Sequence, residues 1–296
     1  MSEQQKQTKN FFKKHSSEWN KKAINEIYSK INDRHKAVHR CLENYPKNSS
    51  HLDIGCGTGQ LVIEASKNGF NSHGIDFAEE MIEISKKNSK ISNSNSIFEV
   101  ASVFNHKPNI KYDVISAMGF VEYISIKECH QLLAYAFNNL NNMGSICIGS
   151  RNRLFNLTTF NSYTKIEIEL DVIKSLHEEA EIIINARNKE QLIKDLRDFS
   201  KNNELIQNEK HPHTTINVET RYQFTPSDLL HKIENAGFHV KNIYPINYHA
   251  FNSVLNFDEN IKIFKKQICD FISNEYFDYY QLLPNSSSFV IEAIKD

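Results

Sequence analysis

The segment HLDIGCGTGQLVIEA, residues 51–65, places glycine at 55, 57 and 59 between an apolar run and a helical pattern. The whole chain holds only nine glycines, so three within five positions call for a reason. A turn from strand to helix needs one residue without a side chain; three let a ligand lie directly against the main chain. In an open α/β sheet such a loop stands at the carboxyl end of a strand, where ligands bind. Two nucleotide-binding patterns do not fit. A G-x-G-x-x-G fingerprint counted from Gly55 requires glycine where Gln60 stands, and no Gly-Lys-Ser/Thr ending marks a phosphate loop. Further on, Asp76 in GIDFAEEM ends the next strand-like stretch, and a carboxylate there can accept hydrogen bonds from both hydroxyls of a ribose.

These residues need elements to hold them. Ser50–Ile54 reads as a strand and Leu61–Asn68 as a helix stopped by Gly69. SHGID is a short strand, Ala78–Asn88 a helix, Ile97–Val103 a strand, KYDVISAM an apolar strand, KECHQLLAYAFNNL a helix and GSICIGSR a strand. Strand and helix alternating at this pitch predict an α/β fold with a parallel sheet covered on both faces. Ahead of it, apolar positions from Trp19 to Leu42 recur at helical spacing, and Pro46 breaks the pattern. Beyond Arg151 the rhythm changes. Residues 155–213 are charged and helix-like, and are expected to form a helical insertion that acts as a lid. Thr225 and Pro226 open another helix, Gly237 stops it, HVKNIYPI is a strand and SSSFVIEAIKD a last one. The organisation expected is an N-terminal helical cover over 1–46, a ligand-binding core from 47–154 and 214–296, and the insertion between them.

A net charge of −1 gives no general electrostatic case for nucleic acid or an anionic membrane. No apolar run approaches the ~18 residues of a membrane span, and the first residues lack the apolar core of a signal peptide. Five scattered cysteines without C-x-x-C spacing predict free thiols and a cytoplasmic setting.

The pattern Asp53-x-Gly55-x-Gly57-x-Gly59, with Asp76 after it, resembles motif I and its acidic partner in the class I S-adenosylmethionine-dependent methyltransferases. The likeness runs through the first 150 residues. FFKKHSSEWNKKA is similar to the helix that folds an aromatic residue over the cofactor, here Trp19, and Arg34 or His15 would then meet the cofactor carboxylate. IFEVASVF is similar to the third-strand segment, with Ala101 and Ser102 where an acid often stands; YDVISAMGFVEYI is similar to the fourth-strand motif.

The resemblance implies a doubly wound, Rossmann-like, seven-stranded mixed sheet whose last strand is antiparallel. It implies S-adenosylmethionine as cofactor, S-adenosylhomocysteine as product, and these contacts. Gly55, Cys56, Gly57 and Gly59 pass the homocysteine portion. Asp53 holds the amino group directly or through water, and Asp76 takes the ribose. Phe77, Met81, Ser102 and Val103 lie at the adenine, and Met118 and Gly119 near the methyl group.

For the acceptor, Glu122 and Tyr123 follow the fourth strand closely enough to face it. His211 and His213 in KHPHTT would share one face of a strand, but no carboxylate motif stands beside them and no metal is expected. A single histidine, His213 or His249, is the expected general base. Arg151 and Arg153 would either grip an anionic acceptor or solvate their loop. The expected reaction is in-line methyl transfer to a hydroxyl of a small polar or sugar-like molecule. N- or C-methylation and a non-catalytic cofactor-binding regulator are the alternatives. A monomer or homodimer without nucleic-acid or membrane partners is expected.

Overall fold

A strand at the middle of a doubly covered sheet buries both of its faces, and β1 (Ser50–Ile54) does so from His51 onward. In the computed structural model, which describes residues 3–24, 29–160, 162–203, 205–206, 222–251 and 259–296, the sheet contains seven strands. The others are β2 (Asn71–Asp76), β3 (Ile97–Val100), β4 (Tyr112–Met118), β5 (Leu140–Arg151), β6 (Phe238–Tyr248) and β7 (Ser286–Lys295). Their order is β3-β2-β1-β4-β5-β7-β6. The first five are parallel, and β7 runs antiparallel between β5 and β6. This is the Rossmann-like mixed sheet that the resemblance implied.

One face is covered by α2 (Ser29–Glu43) and α3 (Gln60–Lys67). Ala37, Val38, Cys41 and Leu42 meet Leu61 and Ala65 there above Val114, Cys147 and Val290 of the sheet. The opposite face carries α5 (Ile126–Asn139) and α10 (Pro226–Asn235), whose Leu132, Leu133, Leu229 and Leu230 pack on Leu52, Ile115 and Ile148. Local chemistry fixes these helices. Ser125 and Glu128 form a reciprocal capping box at α5. Thr225 accepts from the Asp228 amide ahead of Pro226 at α10, and Gly237 ends that helix region at φ 97°. Helix α1 (Glu3–Ile24) precedes them, and α4 (Glu79–Ile91) links β2 to β3.

Three strands differ from their expected bounds by more than one residue, β6 by running from Phe238 to Tyr248 beyond both ends of HVKNIYPI. β3 stops at Val100 because the Ala101 amide turns to the Asp76 carbonyl (2.9 Å), and the chain then bends with the Asn105 and His106 amides on the Ser102 carbonyl. β5 begins at Leu140, several residues before the apolar GSICIGSR, since Tyr112 pairs with Leu140 ahead of a register shift.

The segment beyond Arg151 forms α6 (Asn156–Thr159), α7 (Ser162–Glu169), α8 (Ile173–Asn185) and α9 (Lys189–Asn202). Leu176, Ile183, Leu192 and Leu196 of α8 and α9 belong to the same apolar cluster as the sheet and α10. Buried Glu179 accepts both the amide and the hydroxyl of Ser227 at 2.8 and 2.7 Å, and Arg197 of α9 forks onto Glu234 of α10. Helix α11 (Glu259–Glu275) precedes β7. Among the described residues no helix is long and apolar enough to cross a membrane.

Candidate functional site

At the end of β1 the amides of Gly55 and Cys56 both bond to the Ile75 carbonyl, at 2.8 and 3.0 Å, so the loop folds across the end of β2. Its glycines do different work. A side chain at Gly57 would meet nothing within 4 Å, so its main chain faces open space at φ 53°. At Gly59 (φ 89°) a Cβ would come within 2.8 Å of Phe98 and Ser85. Gly59 is a packing residue at the start of α3 and does not line the cavity; Gly55, Cys56 and Gly57 do.

Two carboxylates flank this loop. Asp76 Oδ2 accepts from the Gly57 amide at 3.1 Å and Oδ1 from the Ala78 amide at 2.8 Å. Burial pushes its pKa up to about 6 against those two amides. Asp53 Oδ1 accepts from the Ser116 hydroxyl at 2.6 Å; burial pushes Asp53 to about 7, with Asp76 adding to the shift. Both are buried yet line one cavity of about 790 Å³.

The cavity spans the carboxyl edge of the sheet. Near β2 and β3 its wall is Phe77, Met81, Ser102 and Val103, and beside β4 it is Met118, Gly119 and Phe120. Helix α1 roofs it with Gln5, Thr8, Phe12 and Trp19. The roof is tied down where Phe12 meets Tyr123 edge-on at 5.4 Å, Gln4 donates to the Tyr123 carbonyl at 2.9 Å, and Lys13 pairs with Glu80 at 2.8 Å. Thr8 lines the cavity at 5% exposure, and its hydroxyl has no hydrogen-bond partner among the described residues. His15 is turned away, stacked on Phe11 and bonded to its carbonyl.

The far wall comes from the ends of β5 and β6 and the start of β7. Because β7 is antiparallel, its first residues reach the same edge as the last residues of β5, and Arg151 pairs with Ser288. Ser287, Ser288, Asn247, His249 and Phe155 line this end. Glu122 is 1% exposed, bonded through Oε2 to Arg151 Nε at 2.9 Å, and lies 3.8 Å from the Arg34 guanidinium. Arg34 also donates to Ser288 at 3.0 Å. Gly119 leaves room for it, since a Cβ there would collide with the guanidinium. The His249 ring lies 4.7 Å from that of Phe155.

Thus the expected residues Trp19, Arg34, Asp53, Asp76, Met118, Gly119, Glu122, Tyr123 and His249 share one cavity. Arg153 is elsewhere: it is 2% exposed and forks onto buried Glu167 at 2.6–3.0 Å. Of the expected lid, α9 packs on α10, α8 packs on α9 and on Tyr280–Asn285 ahead of β7, and Phe155 is its described contribution to the cavity. His211 and His213 lie outside the described residues. Sequence reasoning missed Thr8, Phe120, Asn247, Ser287 and Ser288. Phe120 directly follows Gly119 in the fourth-strand segment and was open to the same reading; the residue types of the others carry no signal, and the topology brings them here.

Residues 29–241 match a family model described as a methyltransferase domain. The chain is 37% identical over 92 residues to the ubiquinone biosynthesis O-methyltransferase of Pelagibacter ubique, covering 29% of this chain and 38% of that protein. It is 37% identical over 70 residues to the ribosomal protein L11 methyltransferase of a Caulobacter species, covering 22% and 24%. The matched stretches therefore span well under half the length of these curated relatives. Among solved structures, magnesium protoporphyrin IX methyltransferase from Synechocystis with bound S-adenosylhomocysteine superposes with TM-score 0.56 at 12% identity, over 99% of this chain and 100% of that one. An S-adenosylmethionine-dependent methyltransferase from Methanosarcina mazei gives 0.53 at 15% identity, over 86% and 96%. At such identities the likeness is one of fold.

Proposed function

The chain belongs to the class I S-adenosylmethionine-dependent methyltransferases, and on that footing we propose that it methylates a hydroxyl of a small polar, sugar-like acceptor. The residues fit the cofactor. The open main chain at Gly57 admits a ligand against the backbone, and each Asp76 oxygen, already holding one amide, keeps a lone pair for one ribose hydroxyl. Asp53 and Asp76 are two buried acids in one cavity, which favours a cationic ligand. Phe77, Met81 and Val103 offer an apolar berth for adenine.

When bound, the cofactor supplies an electrophilic methyl group on a sulfonium. The chain's own share is alignment and exclusion of water. Met118 and Gly119 border the reacting end, and α1 closes over it through Phe12 and Tyr123. Glu122 is clamped by Arg151 and stands near Arg34, which suits it to shaping the wall more than to accepting a proton. His249 has the residue type and place to take the acceptor proton.

The observation that carries the hydroxyl reading is the polar far wall: Arg151, Asn247, His249, Ser287 and Ser288 offer hydrogen bonds to a hydroxylated molecule. The O-methyl chemistry named for the Pelagibacter relative adds support. Five cysteines without a disulfide among them support a reducing, cytoplasmic setting. The test is turnover of labelled cofactor against matched panels of polyols, phenols and amines, with the product bond assigned by NMR. Transfer to hydroxyls is expected; transfer confined to nitrogen or carbon would overturn the proposal.

A further inference from the structure

Residues two apart on a strand share a face, so β1 sets His51 and Asp53 side by side. Their strand partners continue the row, since His51 pairs with Ser72 of β2 and Asp53 with Ser116 of β4. All four side chains are buried: His51 and Ser116 at 0%, Ser72 and Asp53 at 4% exposure. They form one unbroken chain across three strands. Ser72 Oγ lies 2.7 Å from His51 Nδ1, His51 Nε2 lies 2.9 Å from Ser116 Oγ, and Ser116 Oγ lies 2.6 Å from Asp53 Oδ1.

Once Asp53 is ionised, as it is above about pH 7 or beside a bound ammonium group, the carboxylate fixes the direction of every link. It can only accept, so Ser116 gives its single proton to Asp53. The Ser116 oxygen then takes a hydrogen from His51, which carries it on Nε2. A neutral imidazole leaves Nδ1 bare, and the Ser72 hydroxyl donates to it. Burial holds the ring neutral by pushing its pKa down to about 3, and the nearby imidazoles His39 and His35 of α2 act the same way. Those two imidazoles face Glu64 of α3, and Asp53 faces Asp76 and Cys56. A protonated Asp53 would turn the row around and move the hydrogen of His51 to Nδ1.

We propose that His51 is a positioning residue for the cofactor: in its Nε2–H form it holds Ser116 as a donor to Asp53 Oδ1, leaving the other Asp53 oxygen to the ligand's amino group. This rests on the cofactor reading above.

Calorimetry would compare S-adenosylhomocysteine with methylthioadenosine, which keeps the nucleoside and lacks the amino-acid portion. Ser116→Ala and His51→Leu are expected to weaken S-adenosylhomocysteine about tenfold, the loss of one hydrogen bond to a charged group, and to leave methylthioadenosine unchanged. His51→Gln, whose amide can donate to Ser116 and accept from Ser72, is expected to retain affinity. Nitrogen-15 NMR of the wild-type complex, which needs no variant to fold, should show hydrogen on Nε2 of His51. Equal losses on both ligands, no loss on either, no rescue by glutamine, or hydrogen on Nδ1 would each overturn the proposal. A wild type that binds neither ligand would instead defeat the cofactor reading, and this inference with it.

Discussion

The Gly57 amide donates to Asp76 Oδ2 at 3.1 Å, so the carboxylate that ends β2 is fastened to the loop that leaves β1. The loop's shape and the proposed ribose contact therefore share one side chain. Asp76→Ala should cut S-adenosylhomocysteine affinity by about 1–3 kcal/mol, the range for removing a hydrogen-bonding partner that is charged. Titration calorimetry would measure it; unchanged affinity would mean that the ribose lies elsewhere.

The glycines separate folding from binding. Gly57→Ala places its methyl in open cavity space, with a left-handed strain of about 1–2 kcal/mol. It should stay folded while losing the cofactor. Gly59→Ala drives a methyl into Phe98 and Ser85, and should lower stability by about 2–5 kcal/mol in all. Denaturant titration set beside calorimetry distinguishes the two. Identical phenotypes would contradict the division.

Acid dependence follows from Asp53 and Asp76. Each has an ordinary value of 3.8 and is raised by burial in the folded chain, to about 7 and about 6. Between pH 4 and those values the folded state holds protons that the unfolded state has lost, so their contribution to stability falls as pH rises through this window. For Asp53 the fall should be on the order of a few kcal/mol. In ligand-free protein, Asp53→Asn should therefore gain stability relative to wild type on going from pH 5 to pH 8. Added S-adenosylmethionine should raise the melting temperature more at pH 8 than at pH 5. A difference between variant and wild type that does not move with pH would refute the assignment.

The two arginines at the end of β5 should part company. Arg153→Met leaves Glu167 buried without its cation and should destabilise by about 3–5 kcal/mol. Arg151→Ala removes the closer of two cations beside buried Glu122 but leaves Arg34 at 3.8 Å, so it should destabilise less than Arg153→Met and raise KM for the acceptor while cofactor affinity holds. Melting curves and steady-state kinetics on the pair would check this.

The glycine-loop half of the cavity was legible because its signals are local. The glycine spacing, the acid ending β2 and the alternation of strand and helix lie in short stretches, and the backbone conformation they require is intrinsic to those residues. The far wall was not legible. Ser287 and Ser288 look like ordinary serines until the antiparallel insertion of β7 beside β5 brings them opposite Arg151. Arg151 and Arg153 look alike in sequence, and their fates diverge because Glu167 of α7 captures only one of them. Helices α8 and α9 read as a separate cap because they are charged and follow the point where the strand–helix rhythm changes, but their Leu176, Ile183, Leu192 and Leu196 join the core.

The antiparallel placement of β7 has an evolutionary corollary. The residues proposed to meet the nucleoside are encoded before position 120, whereas much of the opposite wall of the cavity is encoded after position 240. Drift or selection on the later part of the gene can therefore redraw what is admitted beside the methyl donor, while the earlier part keeps its grip on the donor itself.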